Sequence, residues 1–536
     1  MTAESPPGGL EFAGENPLTG SSVRPGRLGR VLDPPLLALA VASALGLAYV
    51  LWAPLAPDLA AQSARAAAAR LTHIGTWWTG WFGGLPLASY SVVVPPVMAL
   101  LGIPATGALA VVSTAAAGGR LLRDAVRPRT GAVALSVAAA ADVLGGRTTF
   151  AMGTAVALAA ALAFQRRRIG LACALCALTV LCSPLAGMFL SIGTVTLLIG
   201  MPARRRDAAY LCGTLGTVGL ALALTSPGSG RMPFSALDLV GALCSTAAVA
   251  LLCPQRLLRV GAAVLAVTEI MCFLVPSAVG VNVGRLTAVF GAAVVLAFSP
   301  WHRLAAVAAA LGLTIGPGLD LAHQIQAGRD ASAHRAFYRP LVQQLVVRRN
   351  LAGPNAAGQR VEVVDPRTHG DASYVAPVVS LARGWYRQAD VANNPIFYRD
   401  GALTPRTYRA WLDSLAVRWV ALPNAPLDYA SVTEARLLRS GVPYLHPVWT
   451  SSAWALYEVD HPRPLADGAI ARPGDGGLAV NVRHPGVTFL RMRWSPAITL
   501  RSPNGVDGAR IFDAACWVGI ETPDPGRYVL SGRGLF

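Results

Sequence analysis

The chain has 536 residues, of which 54% are hydrophobic and only 14% are charged, and its mean hydropathy is +0.48. A soluble domain carries about 25% charged residues, so this composition excludes a soluble enzyme, a disordered scaffold and a disulfide-stapled secreted module, and predicts that most of the chain lies in lipid. All 45 basic residues are arginines, which excludes any chemistry that needs a lysine.

The net charge of +17 would suit a nucleic-acid partner, but the position of the arginines indicates another cause. Most arginines before residue 320 cluster in alternate gaps between apolar runs. This alternation is the positive-inside signature of a polytopic membrane protein, so no nucleic-acid partner is predicted. The clusters expected in the cytosol lie at residues 24–30, 120–129, 166–168, 204–206, 256–259 and 303.

Residues 1–32 are rich in Pro, Gly and Ser and predict a disordered cytosolic tail rather than a signal peptide. Eleven apolar runs follow, and two of them are short enough to be re-entrant or broken. An odd number of spans places the C-terminus outside the cell membrane. The predicted spans are 33–53, 92–114, 130–146, 148–165, 169–183, 185–201, 207–225, 236–253, 257–275, 284–299 and 302–319.

Two regions are predicted to face outward: the loop 54–91 and everything after residue 319. In the second region, helix-like patterns at 332–350, 404–415 and 431–440 alternate with short β-rich runs. We therefore expect a transmembrane domain at 33–319, an extracytoplasmic α/β domain at 320–460 and a β-sandwich-like region at 461–536. The expected strands cover 360–364, 418–422, 454–459, 488–494 and 528–531.

The outer loop 54–91 holds the most informative polar residues. Asp58 follows the first span within a few residues, and an Ala- and Arg-rich helix then extends to Arg70. Between residues 65 and 70 this helix is amphipathic enough to lie in the membrane interface, and the tryptophans at 77–81 suit the headgroup layer. An alternative is that the loop only covers the membrane surface and Asp58 caps the helix after Pro57.

The loop resembles the first extracytoplasmic loop of GT-C glycosyltransferases. The resemblance rests on Asp58, the helix after it, and the pattern W-x-x-G-W-x-G-G-x-P-x-x-x-Y-S-x-x-x-P-P that begins at Trp77. It is most similar to the pyruvoyl-tetrahydropterin-synthase-related membrane proteins of actinobacteria. Further matching segments, spread over nearly the whole chain, are 146–153, 183–187, 276–286, 381–388 and 393–395.

The resemblance implies a reaction on the outer face of the membrane between a polyprenyl-phosphate sugar and an acceptor hydroxyl. Asp58 matches the loop carboxylate that acts as general base in an inverting displacement. Because Asp58 has no acidic neighbour within the loop, we predict that no metal and no other cofactor takes part. The loop residues expected to contact substrate are Gln62, Trp78, Trp81 and Tyr90.

The lipid phosphate of such a donor requires cations near the outer membrane surface. Arg147 and Arg285 are the only arginines in two short outer gaps, and Asn282 lies one helical turn before Arg285. A planar guanidinium binds phosphate oxygens in pairs, so these three residues are candidates for the phosphate site. Alternatively the arginines snorkel at helix ends, or Arg147 pairs with Asp142.

In the outer domain, several polar and aromatic residues outside the expected strands suit an acceptor glycan. Alternatives are an ordinary surface ion pair between Arg383 and Asp390, a core position for Trp385, and a hydrolase built on His369 and Asp371, although no nucleophile motif supports the last. The candidate acceptor contacts are His369, Asp371, Arg383, Trp385, Gln388 and Asp390.

The sequence thus predicts a polytopic α-helical membrane protein of the GT-C type, with about eleven spans and an extracytoplasmic α/β plus β-sandwich-like domain. It is expected in the plasma membrane, transferring sugar from a polyprenyl-phosphate donor to a cell-envelope glycan or glycolipid. One alternative is a non-catalytic envelope-assembly or lipid-handling protein with the same fold. Another is a transporter centred on Glu269, because an acid within an apolar run must be paired, protonated or turned into the bundle.

Overall fold

The computed structural model describes residues 33–72, 77–86, 90–225, 230–474, 477–502 and 508–532. The predicted cytosolic tail, residues 1–32, lies outside the described residues. Within them the chain forms an apolar helical part, a sheet flanked by helices, and two further sheets near the C-terminus.

The apolar part is helical wherever an apolar run occurs in the sequence. Several of its helices begin at a proline, because the first helical position needs no N–H donor. Its described helices are α1 (Pro34–Trp52), α2 (Pro57–Leu71), α3 (Val94–Leu101), α4 (Ile103–Leu121), α5 (Pro128–Leu144), α6 (Thr148–Gln165), α7 (Ile169–Cys182), α8 (Pro184–Gly200), α9 (Arg205–Thr225), α10 (Ala236–Leu252), α11 (Arg256–Leu274), α12 (Arg285–Phe298) and α13 (Arg303–Ala327).

Six helices in the described residues are long and apolar enough to cross a membrane, and a seventh span results if α3 and α4 are counted as one. That pair bends by 117° around Gly102, whose φ of +83° is easily adopted only by glycine. Helices α7, α8 and α10 are apolar but shorter. The helices fit a multi-pass membrane protein, as predicted, but eleven spans exceed the number that helix length and composition support.

The predicted end of the last span at residue 319 is wrong, because α13 continues to Ala327. No proline or glycine interrupts the polar stretch after Leu319 until Gly328, so nothing in the sequence stops the helix earlier. Asp320 and Gln324 therefore lie on the last turns of an apolar helix, and not in a separate domain.

A four-stranded sheet of order β3-β4-β6-β5 forms the centre of the α/β domain. Because the sequence predicts that this domain faces outward, it is called the outer domain. Strands β3 and β4 are parallel and the other pairs are antiparallel. The described elements from residue 335 to 459 are α14 (Arg335–Leu351), β3 (Arg360–Val363), α15 (Asp371–Tyr374), α16 (Arg387–Asn393), α17 (Pro405–Ser414), β4 (Val417–Pro423), α18 (Val432–Arg439), β5 (Leu445–Thr450) and β6 (Trp454–Val459); a short pair, β1 (Trp77–Trp78) and β2 (Leu85–Pro86), belongs to the first outer loop.

Each face of this sheet covers a separate core. On one face, Trp419 and Leu456 pack with α14 and α2. On the other, Val420 packs with α17 and α18. Strand β4 is therefore apolar on both faces, which explains its uninterrupted apolar sequence Trp-Val-Ala-Leu.

The C-terminal region contains two antiparallel sheets, of order β10-β13-β8-β7 and β11-β12-β9. Alternate residues of both sheets meet in one core, which includes Val480 and Leu530 from one sheet and Leu490 and Ile520 from the other. The predicted β-sandwich-like packing is thus present. Its strands are β7 (Ala469–Gly474), β8 (Gly477–Val482), β9 (Gly486–Arg493), β10 (Ile498–Arg501), β11 (Arg510–Ala514), β12 (Trp517–Thr522) and β13 (Gly526–Gly532).

Helix α2 packs against the outer domain through the face that carries Ala61, Ala64 and Ala68, and its predicted position in the membrane interface stays a prediction. These alanines belong to the same core as α14, and Ser373 Oγ donates a hydrogen bond of 2.9 Å to Ala60 O. The small side chains allow close packing of α2 on the domain. The first outer loop is therefore a structural link between the apolar helices and the outer domain.

A buried arginine organises the outer α/β domain. The guanidinium of Arg383, 1% exposed, lies 2.7 Å from Asp365, 2.9 Å from Asp390, 3.4 Å from Glu434 and 3.5 Å from Glu362. These acids come from β3, the loop after it, α16 and α18, so one side chain ties four segments together. Carboxylates brought this close repel one another unless a cation balances them.

We predict that Arg383→Gln destabilises the domain strongly, because it leaves buried carboxylates without their cation. The expected loss is about 3–5 kcal/mol, which corresponds to roughly 6–20 °C in the apparent Tm of a domain of this size. Arg510→Gln is the control, since Arg510 pairs with Glu521 while 74% exposed, and exposed pairs contribute less than about 1 kcal/mol. Equal Tm values for the two variants in detergent-solubilised protein would contradict this role.

Candidate functional site

A cavity of about 1260 Å³ lies between the apolar helices and the outer domain. Its lining combines polar and apolar side chains. The polar lining includes Asp58, Gln62, Arg65, Tyr90, Arg147, Asn282, Arg285, Asp320, Gln324, Trp385 and Gln388, and the apolar lining includes Val180, Leu185, Met188, Leu215, Leu222 and Leu313. The structure therefore brings together loop, span and outer-domain residues that are far apart in the sequence.

Asp58 stands in the first turn of α2, with its side chain 30% exposed. The residue at the N-cap position is Ala56, and no side chain makes a capping hydrogen bond there. The alternative that Asp58 serves as a helix cap therefore fails. Its carboxylate Oδ2 instead lies 3.6 Å from Nε of Arg147 at the cavity wall.

Arg147 is surrounded by acids. Besides Asp58, it lies 2.6 Å from Asp320 Oδ2 and 3.7 Å from Asp142 Oδ1. Its pairing with Asp142 agrees with the alternative stated for this residue. Because three carboxylates already balance its charge, Arg147 is a poor candidate for binding a phosphate. Its geometry instead suits a positioning residue that holds Asp58 at the cavity.

A close backbone approach places Arg147 beside Asp58. The preceding residue, Gly146, has a φ of +81°, and a Cβ on it would lie 2.5 Å from Leu59 N and 3.0 Å from Asp58 C. Only glycine fits this contact without displacing the start of α2. A glycine at this position therefore permits the segment 146–153 to lie close to Asp58.

Arg285, the first residue of α12, has no acid within ion-pair distance among the described residues, and Asp58 and Asp142 act on its charge only from farther away. It lines the cavity, and among the described residues it makes neither a hydrogen bond nor a close ion pair. Asn282, 9% exposed, lies in the 3₁₀ turn Gly280–Gly284 just before it and also lines the cavity. Arg285 is therefore the predicted phosphate ligand whose charge is available for a ligand.

Sequence analysis missed Arg65 as a site residue. Arg65 is 2% exposed, its guanidinium lies 3.7 Å from the ring centroid of Tyr90 and 5.2 Å from that of Tyr386, and its Nη2 has no hydrogen-bond partner in the described chain. It borders the cavity from α2. Its spacing of seven residues from Asp58, two turns along one helix face, is the signal that could have identified it.

The four predicted loop contacts separate into two pairs. Gln62 and Tyr90 line the cavity, and Gln62 Nε2 donates to Tyr90 Oη at 3.3 Å. Trp78 and Trp81, 6% and 0% exposed, pack in the core shared with the outer domain and do not border the cavity. Their predicted roles in substrate binding and in the headgroup layer are wrong, because the outer domain covers their rings.

A second cavity of about 480 Å³ shares Asp58, Gln324 and Trp385 with the first. Its other lining residues are mainly polar and include His323, Arg367, His369 and Asp428. The Trp385 ring lies 3.5 Å from that of His369 at an angle of 6°, and the guanidinium of Arg387 lies 5.0 Å from the Trp385 ring. Asp58, Gln324 and Trp385 thus form part of the wall of both cavities.

The predicted acceptor contacts of the outer domain also divide. Trp385 and Gln388 line the first cavity, where Gln388 Nε2 donates to Ala278 O at 3.1 Å. Arg383 and Asp390 are buried in the network described above and reach neither cavity, so they are neither acceptor contacts nor a surface pair. The polar sequence 383–390 gave no sign of this burial, because three of the four compensating acids, Glu362, Asp365 and Glu434, come from other segments.

Asp371, 1% exposed, lies away from both cavities, but it is close to His369. One carboxylate oxygen each from Asp365 and Asp371 and one ring nitrogen of His369 lie within 4.8 Å of one another. Burial raises the pKa of Asp365 to about 8 and that of Asp371 to about 7. Although burial acts to raise the pKa of Asp428, hydrogen bonds from His369 and Arg387 hold it well below its usual range.

A scan of the chain against protein-family models finds no match, and a search of curated proteins finds no relative. The resemblance to GT-C enzymes therefore stays a prediction.

We predict that Gly146→Ala destabilises the protein while Gly145→Ala does not. An alanine in the left-handed region costs about 1–2 kcal/mol, and at position 146 its Cβ would also collide with the backbone of Leu59. Gly145 has a φ of −73°, and its added Cβ would meet only ordinary contacts from 3.4 Å outward. A lower apparent Tm for Gly146→Ala alone is expected; equal values would show that the contact with α2 is loose.

Proposed function

We propose that the protein transfers a sugar from a polyprenyl-phosphate donor to a cell-envelope glycan or glycolipid, with Asp58 as the general base. The observation that carries this proposal is the lining of the first cavity, which combines the half-buried carboxylate of Asp58, an arginine without a close ion pair and several leucine side chains. Such a cavity suits an amphiphile with a charged head and a long hydrocarbon chain.

The cavity lining suits both parts of such a donor. Leu185, Met188, Leu215 and Leu222 offer an apolar surface for isoprenoid units. Arg285 makes no close ion pair in the described chain, and a guanidinium can bind two phosphate oxygens at once. The volume of about 1260 Å³ exceeds the ~300–1,000 Å³ typical of small-molecule pockets, as a lipid-linked substrate requires.

The proposed reaction is a single displacement. Asp58 accepts the proton of an acceptor hydroxyl, and that oxygen forms a bond to the anomeric carbon of the sugar. The bond from the anomeric carbon to the phosphate oxygen breaks, its electron pair leaves with the lipid phosphate, and the configuration inverts. Arg147 holds the carboxylate of Asp58 in place, and Arg285 stabilises the charge that develops on the leaving phosphate.

The second cavity supports an acceptor site on the other side of Asp58. Polar groups for sugar hydroxyls come from His323, Arg367 and Asp428, and the indole of Trp385 borders both cavities. A hydroxyl that entered from this cavity would meet Asp58 opposite a donor in the first cavity, as an inverting displacement requires. The proposal also includes the plasma membrane, about eleven spans and an outward C-terminal domain, which the alternating arginine clusters support.

A second candidate is a lipid-handling or envelope-assembly protein that binds the same amphiphile without a reaction. The ion pair between Asp58 and Arg147 favours this candidate, because it gives Asp58 a structural role. The transporter alternative gains no support. Glu269 is fully buried, accepts a hydrogen bond of 2.9 Å from Thr246, and borders neither of the two cavities.

We predict that Asp58→Asn lowers the rate of transfer by about 10²–10⁴-fold, because it removes a general base and keeps the size of the side chain. The assay uses membranes that contain the protein, a panel of polyprenyl-phosphate sugars and envelope acceptors. Asp320→Asn is the matched control, since it removes another carboxylate from Arg147. Its loss of activity should be only a small part of that seen for Asp58→Asn.

Three outcomes distinguish the candidates. A large loss confined to Asp58→Asn supports the base. Similar losses in both variants would assign Asp58 to charge balance with Arg147 and contradict the mechanism. Full activity of Asp58→Asn would exclude it, and binding of donor without transfer in the unmodified protein would favour the non-catalytic candidate.

A further inference from the structure

The outer α/β domain buries more negative charge than its arginines balance. Six acids, each at most 7% exposed, lie around Arg383 and Arg387. If all were ionised, four negative charges would be left in a region closed to water, which costs several kcal/mol per charge. The six acids are Glu362, Asp365, Asp371, Asp390, Asp428 and Glu434.

Hydrogen bonds do not satisfy all of these groups. Oδ1 of Asp371 is buried and has no hydrogen-bond partner in the described chain. Asp371 is the first residue of the short helix α15 and directly follows the turn His369–Gly370, which turns it towards the interior. A buried carboxylate oxygen without a donor is expensive unless something outside the polypeptide binds it.

Asp371 lies beside two other buried side chains that can bind a metal, Asp365 and His369. Their ligand atoms lie within 4.8 Å of one another, and all three residues are at most 3% exposed. We propose that these three side chains bind one divalent transition-metal cation, Zn²⁺ or Mn²⁺, inside the outer domain. This inference does not depend on glycosyl transfer, and Asp58 is not among the ligands.

The ligand set decides the kind of cation. One imidazole and two carboxylates suit Zn²⁺ and Mn²⁺, whereas Ca²⁺ and Mg²⁺ prefer oxygen ligands alone. Three protein ligands leave a coordination position for water. Movements of the side chains by a fraction of an ångström to about 1 Å would bring the three ligand atoms to bonding distance from a common centre.

The surroundings of His369 agree with a metal ligand. Its Nε2 lies 3.4 Å from Asp428 Oδ2, and we therefore assign Nδ1 to the cation. Histidines that bind metals commonly donate their other ring N–H to a carboxylate, and this contact fixes the ring. The Trp385 ring, stacked on the imidazole at 3.5 Å, restricts it further.

The test measures metal content and stability in the full chain, purified in detergent without a polyhistidine tag. After incubation with Zn²⁺ or Mn²⁺ and removal of excess ion, elemental mass spectrometry should find about one cation per chain. Chelation should remove it and lower the apparent Tm, and adding back the same ion should restore the Tm. Binding of Co²⁺ should give the visible absorption of a site that contains nitrogen and oxygen ligands.

Variants assign the cation to this site. Asp371→Asn and His369→Gln should each lower the affinity more than tenfold, because each removes a ligand, and circular dichroism checks that they fold. Asp413→Asn is the control, since Asp413 pairs with Arg409 outside the cluster. Absence of a bound cation and of any Tm shift in the unmodified protein would overturn the proposal. So would a stoichiometric cation that both ligand variants retain.

Discussion

The contact between Arg147 and Asp58 is the interaction on which the rest of the site depends. Arg147 stands at the start of α6, and its guanidinium lies between Asp58 on α2 and Asp320 on α13. Because α13 leads into the outer domain and α2 packs against it, one side chain joins the apolar helices to both ends of the outer region. Gly146 permits this arrangement, since any larger residue would push α2 away.

The cavity follows from this junction. The apolar helices contribute its leucine side chains and also Arg285 and Asp320. Helix α2 and the outer domain contribute Asp58, Gln62 and Gln388. The two arginines of the cavity differ in how far their charge can bind a ligand. Arg147 is balanced by three acids, whereas Arg285 has no close ion pair among the described residues. An anionic amphiphile would therefore place its head at Arg285 and keep Asp58 beside the reacting group.

The sequence predicted the positions of the apolar helices and of the main outer strands, because both depend on local periodicity. It also singled out Asp58, since an isolated acid directly after a span is unusual. It could not predict contacts between distant segments: the pair Arg147–Asp320 joins residues 173 positions apart, and the burial of Trp81 and Arg383 depends on what the outer domain places over them. The count of eleven spans stays a prediction, because an apolar run determines composition but neither the bends nor the ends of helices. By length and apolar composition, six or seven of the described helices qualify as spans.

The most direct measurement is the affinity of the purified protein for a polyprenyl phosphate in lipid nanodiscs, compared among the unmodified chain, Arg285→Lys and Arg285→Ala. Loss of a charged hydrogen-bonding group costs about 1.5–3 kcal/mol, so Arg285→Ala should bind at least about tenfold more weakly, and Arg285→Lys should lie between because it keeps the charge without the planar fork. Polyprenol, which lacks the phosphate, should bind all three proteins equally. Equal affinity of the three proteins for the polyprenyl phosphate would show that Arg285 does not bind the phosphate, and would contradict its role in the proposed donor site.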